Sequence, residues 1–250
     1  MKKNELKQKI KRGAKVLGFD VKHIPRIQGD DVAFLHIGKN AGTEITLLAR
    51  DLRSQLDPIR IVSVGHNVKL RDIKTNSRYF FSLRDPVSRF YSGFYSRKFQ
   101  GKPYYSNPWS AAEEYSFEKF EHANDLAESL SSGSKSQRDA FFAMLSIGHV
   151  NTFQSDWFVG VGDFLRIQPP VWIIRQENFN ADMCTLLSKL SRDVGPRDVL
   201  ENFSTRRSHG RSYRDFPKIS EVGVANIKNW YFRDFLLLEY CNAWMSKDSG

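Results

Sequence analysis

The chain predicts an α/β fold with a central, mostly parallel sheet flanked by helices. Short β-branched and aromatic runs alternate with helix-period segments, the pattern of strand–crossover–strand units. Two of these runs, Phe34-Leu-His-Ile-Gly-Lys-Asn-Ala-Gly-Thr43 and Phe81-Ser-Leu-Arg-Asp-Pro-Val-Ser-Arg-Phe-Tyr-Ser92, end in a cation beside helix-start residues. That is how such sheets build phosphate sites at the carboxyl ends of their strands. One site carries Lys39 and the other Arg84 with Ser92, so the ligand expected has two separate anionic ends.

Taken in order, residues 1–24 form a basic arm with Lys2, Lys3, Lys7, Lys9, Lys11, Arg12 and Lys15 around a thin stripe of Leu6, Ile10 and Leu17. A solvated terminal helix is the plainer reading of so narrow a stripe, with weak peripheral membrane contact the other. Residues 25–250 read as a single domain. Asp31–Ile37 is a buried strand, and Ala41 to about Arg53 the helix behind it. A second strand, Ile59–Val64, ends at Gly65-His66, and a third, Arg78–Leu83, ends at Arg84. Asp85 can cap a helix whose first turn holds Pro86. Val87, Phe90, Tyr91, Phe94 and Tyr95 repeat at helical spacing and give that helix an apolar face. Residues 99–135 are less regular, 137–149 helical. Val171–Ile174 is a fourth strand, followed after Arg175 by a helix through Leu190. Asn202–Arg214 is a polar, basic loop, and Ile227, Trp230, Tyr231, Phe235 and Leu238 mark one closing amphipathic helix.

The 250 residues, 40% of them hydrophobic, suffice for one large α/β core. No apolar run approaches the ~20 residues of a membrane-spanning helix, and the first ten residues lack the continuous apolar stretch of a secretory signal. Cys184 and Cys241 are too few for a disulfide framework and are not spaced as a metal site. Cytoplasmic residence is the expectation. The balance of 38 basic to 28 acidic residues, a net charge of +10, favours anionic ligands. That charge is spread out and comes with no zinc-finger, RRM or helix-turn-helix signature, so nucleic acid is not the expected partner.

A Walker A loop needs Gly, four residues, then Gly-Lys-Ser/Thr. Here the places hold Ala33, Gly38-Lys39 and Asn40: the lysine is right, the opening glycine and the magnesium-holding hydroxyl are absent. Ala41, Gly42 and Thr43 follow, where amides at a helix start face a phosphate and the Thr43 hydroxyl adds a donor. Arg84 offers a planar fork suited to phosphate. Ser88, Ser92 and Ser96 recur every four residues on the next helix and share a face.

Together the two stretches resemble the nucleotide-binding motifs of sulfotransferases that use 3′-phosphoadenosine 5′-phosphosulfate (PAPS), nearest the bacterial relatives of the carbohydrate 2-O-sulfotransferases. His36-Ile-Gly-Lys-Asn-Ala-Gly-Thr43 is similar to the 5′-phosphosulfate loop. Arg84-Asp-Pro-Val-Ser-Arg-Phe-Tyr-Ser-Gly-Phe-Tyr95 is similar to the 3′-phosphate motif, with Arg and Ser eight positions apart as the family has them. The likeness runs from about residue 30 to residue 242. It implies a three-layer P-loop-like fold and a donor site in which Gly38, Lys39, Asn40, Ala41, Gly42 and Thr43 hold the 5′-phosphosulfate and Arg84 and Ser92 the 3′-phosphate, with no metal. It implies a carbohydrate hydroxyl as acceptor. The family usually has Pro-Lys-Thr or Pro-Lys-Ser where this chain has Gly38-Lys39-Asn40; the Asn40 amide is expected to stand in for the hydroxyl.

His66 falls where the 2-O-sulfotransferase branch places its catalytic histidine, and a neutral imidazole can take the proton of an attacking hydroxyl. Lys39 would steady the departing phosphate oxygen. His36, inside the strand, is expected to support the loop. Glu44 is the second candidate for the base, although a carboxylate in a first helical turn is favoured by the dipole alone. Glu177 could cap the next helix or orient Arg175. The loop Arg206-Arg-Ser-His-Gly-Arg-Ser-Tyr213 resembles one that closes over the donor in related enzymes, which would give Gly210 and Arg211 a binding role; a solvated basic loop is the plain alternative. Tyr104, Tyr105, Trp109, Tyr115 and Phe117 either stack on an acceptor sugar or pack the insert. Two other readings stand beside the sulfotransferase: a nucleotide-dependent kinase with a degenerate loop, and a non-catalytic anion- or glycan-binding module on the same fold.

Overall fold

The computed structural model describes residues 25–54, 56–103, 105–191 and 215–248. The basic arm, Tyr104 and the late basic loop with Gly210 and Arg211 lie outside the described residues. Four strands, β1 (Val32–Leu35), β2 (Ile61–Ser63), β3 (Arg78–Leu83) and β4 (Ile173–Arg175), form one all-parallel sheet in the order β2-β1-β3-β4. Every residue of β1 is buried, as are residues 79–83 of β3, so both faces of the central strands are covered. Leu35 pairs with Phe81 and Leu83 with Arg175. That register opens the loops after β1 and β3 side by side at one edge.

Helices follow three strands directly: α1 (Gly42–Asp51) after β1, α2 (Pro86–Lys98) after β3, and α7 (Phe179–Leu190) after β4 beyond one short 3₁₀ turn. The start of α2 is as the sequence predicts: Pro86 opens it and the Asp85 carboxylate accepts from Ser88 N at 2.8 Å. The insert between β3 and β4 contributes α3 (Ala111–Lys119), α4 (Ala123–Ser129), α5 (Lys135–Ser146) and α6 (Phe164–Ile167).

The closing segment differs from expectation. It is two helices, α8 (Glu221–Trp230) and α9 (Phe232–Asp248), parted at Tyr231. Tyr231 is buried and donates its hydroxyl to the carbonyl of Val150, which anchors the junction between the two helices. The helix expected over 137–149 stops at Ser146, which leaves 147–153 as connecting chain before a 3₁₀ turn at Gln154–Trp157.

Two apolar clusters result. Sheet residues such as Phe34, Phe80, Phe81 and Ile173 pack with Ile45 of α1, Leu186 of α7 and Leu237 and Cys241 of α9. The outer face of α2 (Phe90, Phe94, Tyr95) packs with Phe117, Leu126, Met144 and Ile227. Trp109 and Phe117 pack against each other, rings tilted and centroids 5.0 Å apart, so these two insert aromatics serve packing. A buried pair, Arg97 Nε to Glu113 Oε1 at 2.6 Å and Nη2 to Oε2 at 2.7 Å, ties α2 to α3. No described helix is long and apolar enough to cross a membrane.

Candidate functional site

The chain leaves β1 through His36 and Ile37 and turns through 38–41 into α1. Lys39 (φ 70°) and Ala41 (φ 58°) both adopt the left-handed conformation. Non-glycine residues stay there only where surroundings hold them, and such positions concentrate at functional sites. Ala41 caps α1 without any side-chain hydrogen bond, which leaves the first backbone N–H groups of the helix as donors. The ring of His36 fills the space where a Cβ on Gly42 would stand, with Nε2 1.7 Å from that point. Glycine is therefore obligatory at 42, and His36 supports the loop as expected. Burial, with His66 nearby, lowers the His36 pKa to about 4, so the support is a neutral ring.

Three cations converge behind and beside this loop. Burial and then the neighbouring Arg84 lower the Lys39 ammonium to about 8, against a raising influence of Glu44. Arg84, half-buried at the end of β3, directs Nη1 toward the Lys39 carbonyl at 3.5 Å; burial lowers its pKa, while Glu177, Asp85 and Glu44 oppose this. Arg89 on α2 is buried and donates Nε to the Gly38 carbonyl (3.1 Å), Nη1 to the Thr152 carbonyl (2.8 Å) and Nη2 to Thr152 Oγ1 (3.0 Å). Among the described residues none of the three forms an ion pair. Desolvated cations without a carboxylate partner are costly unless a ligand supplies the countercharge. The edge carries a local excess of positive charge, tempered by Glu44, Asp85 and Glu177.

Asn40 corrects one expectation. Its side chain is fully buried and donates from Nδ2 to the Ser82 carbonyl (2.9 Å) and to Gln154 Oε1 (2.6 Å), while Ser82 Oγ donates to the Asn40 carbonyl (2.5 Å). Both amide hydrogens are spent inward, so the amide does not replace the expected hydroxyl donor. Residue 40 can offer a ligand only its backbone. Thr43 is exposed on the first turn of α1. Ser92 is buried on α2, and its hydroxyl bonds to no described residue; Ser96 faces the Tyr105 hydroxyl at 3.5 Å.

His66 follows β2 and is exposed. Its ring lies 3.8 Å from that of His36, centroid to centroid, and its Nδ1 is 3.2 Å from the His36 carbonyl. A carbonyl only accepts, so that bond assigns the proton to Nδ1 and leaves Nε2 with a free lone pair. Burial of the ring and the nearby Lys39 lower its pKa, and the His36 carbonyl opposes them. The imidazole is thus neutral at pH 7, with the basic nitrogen available.

The acidic candidates have structural work. Glu177 Oε1 accepts from Asp85 N at 2.9 Å, which steadies the start of α2. It neither caps α7 nor orients Arg175, whose guanidinium pairs with Asp182 at 2.8 Å. Glu44 sits in the first turn of α1, near enough to Lys39 and Arg84 to influence both charges.

The fold therefore brings Gly38 to Thr43, His66 and Arg84 to one edge, with Ser92 two turns along α2. Sequence reasoning missed Gln154, whose amide bonds Asn40 and the main chain of Arg84, and His149, which packs against Gly38 and Gly93. Both lie between α5 and α6, in chain without periodicity; only the polarity of a glutamine between Phe153 and Trp157 hinted at the first. Compared with known proteins, the chain matches no family model and no curated sequence.

Proposed function

We propose that this protein is a sulfotransferase that moves the sulfuryl group of PAPS to the hydroxyl of a carbohydrate acceptor. The observation that carries the reading is the pairing of Lys39 with Arg84: two desolvated cations that form no ion pair among the described residues, at the ends of adjacent parallel strands, with the neutral His66 imidazole beside them. A donor with a phosphate at each end of one nucleoside matches that division. Arg84 and Ser92 take the 3′-phosphate, and the 38–43 loop with the opening amides of α1 takes the 5′-phosphosulfate. The acceptor hydroxyl gives its proton to Nε2 of His66 as its oxygen bonds to sulfur. The bond from sulfur to the phosphate oxygen breaks, and its electron pair stays on that oxygen. The Lys39 ammonium stabilises the charge that develops there. Adenosine 3′,5′-bisphosphate leaves.

Support against a magnesium–nucleotide kinase comes from Asn40: where a phosphate loop needs a hydroxyl facing the metal, this chain has an amide turned into the core. Calorimetric titration with adenosine 3′,5′-bisphosphate, beside ATP with magnesium, tests the reading. Binding of the bisphosphate that is lost in Arg84→Ala supports it. Binding of magnesium–ATP alone overturns it in favour of the kinase, and binding of neither in favour of a module for other anions or glycans.

A further inference from the structure

One residue of the site has no part in that scheme. His149 lies in the connection after α5 in the left-handed conformation (φ 68°). A β-carbon on Gly38 would stand 3.4 Å from its Nδ1 and 3.9 Å from Nδ1 of His66. The two imidazoles thus flank one small niche over Gly38, next to Lys39. Among the described residues, the His149 ring has no hydrogen-bond partner.

Its placement is fixed from several sides. Gly148 N donates to Glu113 Oε1 at 3.1 Å, the carboxylate that also holds Arg97. The absent side chain of Gly93 lets α2 approach, since a Cβ there would stand 3.3 Å from the Cβ of His149. The His149 carbonyl accepts from Thr152 Oγ1 at 3.4 Å, and Thr152 holds Arg89, which holds the Gly38 carbonyl. Val150 is tied by Tyr231. A left-handed backbone held this firmly sets the half-buried ring over Gly38 with its nitrogens unspent on the described residues, and such conformations concentrate where a side chain is placed for function.

The geometry points to His149 as a ligand-contacting residue whose imidazole N–H donates a hydrogen bond to the transferring sulfuryl group, across Gly38 from His66. This rests on the sulfotransferase reading. Burial first, then the charges of Lys39 and Arg89 and the neighbouring His66 and Arg97, hold its pKa down to about 3. It is then a neutral donor, which can bind the sulfuryl oxygens without competing with His66 for the acceptor proton. It also gives glycine at 38 a purpose, because a side chain there would occupy the niche.

The test compares two nucleotides that differ only in the sulfuryl group. The full chain, His149→Ala and His149→Asn are titrated with PAPS and with adenosine 3′,5′-bisphosphate, and donor breakdown by transfer to water is followed. His149→Ala is expected to weaken PAPS about tenfold while the bisphosphate constant stays within about twofold. His149→Asn, which tolerates the left-handed backbone and keeps a donor, is expected to recover part of that loss. Equal losses for both nucleotides, or no loss, overturn the proposal. Should the variants not fold, the wild type decides: its His149 imidazole ¹⁵N resonance must move with PAPS and not with the bisphosphate. If the wild type binds neither nucleotide, it is the sulfotransferase reading that fails.

Discussion

Gln154 grips Arg84 at both ends of one residue: its Oε1 accepts from Arg84 N at 3.0 Å and its Nε2 donates to the Arg84 carbonyl at 2.8 Å. A side-chain amide here satisfies the main chain just where β3 runs out of strand partners. The same Oε1 accepts from Asn40, so one buried residue couples the two anion-facing loops. Gln154→Ala strands several buried polar groups, and a stability loss of about 3 kcal/mol is expected in urea denaturation. Affinity for adenosine 3′,5′-bisphosphate should fall with it.

Arg84→Ala has the opposite signature. The bonds from Gln154 reach only its backbone, so the fold keeps them. Removal of a desolvated cation beside Lys39 and Arg89 also relieves repulsion. Bisphosphate binding should weaken by about 10- to 100-fold with no drop in melting temperature. A variant that melts early would move Arg84 from the ligand to the scaffold.

If the proposed site binds its anion through Lys39, affinity is expected to have an alkaline limit. Burial and Arg84 hold its ammonium to about 8, so it is charged at pH 7 and loses its proton as pH rises through 8. An anion binds the charged form. Affinity should therefore be flat below pH 7 and fall above about 8 by up to tenfold per pH unit. Complex formation should take up protons in that range, visible as a buffer-dependent heat. Lys39→Arg should flatten the profile, because guanidinium does not titrate there.

With His66 as the proposed base, turnover is expected to have an acid limit. Its pKa lies below the ordinary 6.5, from burial first and Lys39 second. Protonation occupies the basic Nε2, so kcat/KM should hold at neutral pH and drop only below pH 6.5. His66→Ala should cost about 10²–10⁴ in kcat and leave bisphosphate affinity unchanged. Full turnover in that variant would transfer the proton to another group, with Glu44 the first to examine.

Arg97→Ala leaves Glu113 as an uncompensated buried carboxylate. Thermal or urea unfolding should show a loss of about 3–5 kcal/mol. Because Glu113 also holds Gly148 N, turnover should decline under conditions where the variant is still folded.

Much of this was readable beforehand for local reasons. The two central strands are largely apolar and buried, and Asp85-Pro86 starts a helix by capping chemistry that acts over a few residues. Lys39, His66 and Arg84 each follow a strand directly, so strand order alone carries them to one edge. Gln154 and His149 were not legible because their partners are remote in sequence: 114 residues separate Gln154 from Asn40. The inward turn of Asn40 depends on Ser82 and Gln154 together. The junction at Tyr231 was hidden for the same reason, since the residue's hydroxyl partner, Val150, lies far away in sequence.

The last helix has a bearing on synthesis. Asp234 of α9 accepts from the N–H groups of Gln154 and Ser155 at 2.8 and 2.9 Å, and Tyr231 holds Val150. The chain that braces the anion site is thus locked by residues made about 80 positions later. A ribosome-bound chain with all four strands emerged still lacks that lock, so the connection through Val150, Gln154 and Ser155 gains its ties only when α9 is made. A nascent chain stalled before residue 231 lacks both ties, and Gln154, which holds the Arg84 main chain and Asn40, is then without its brace from α9.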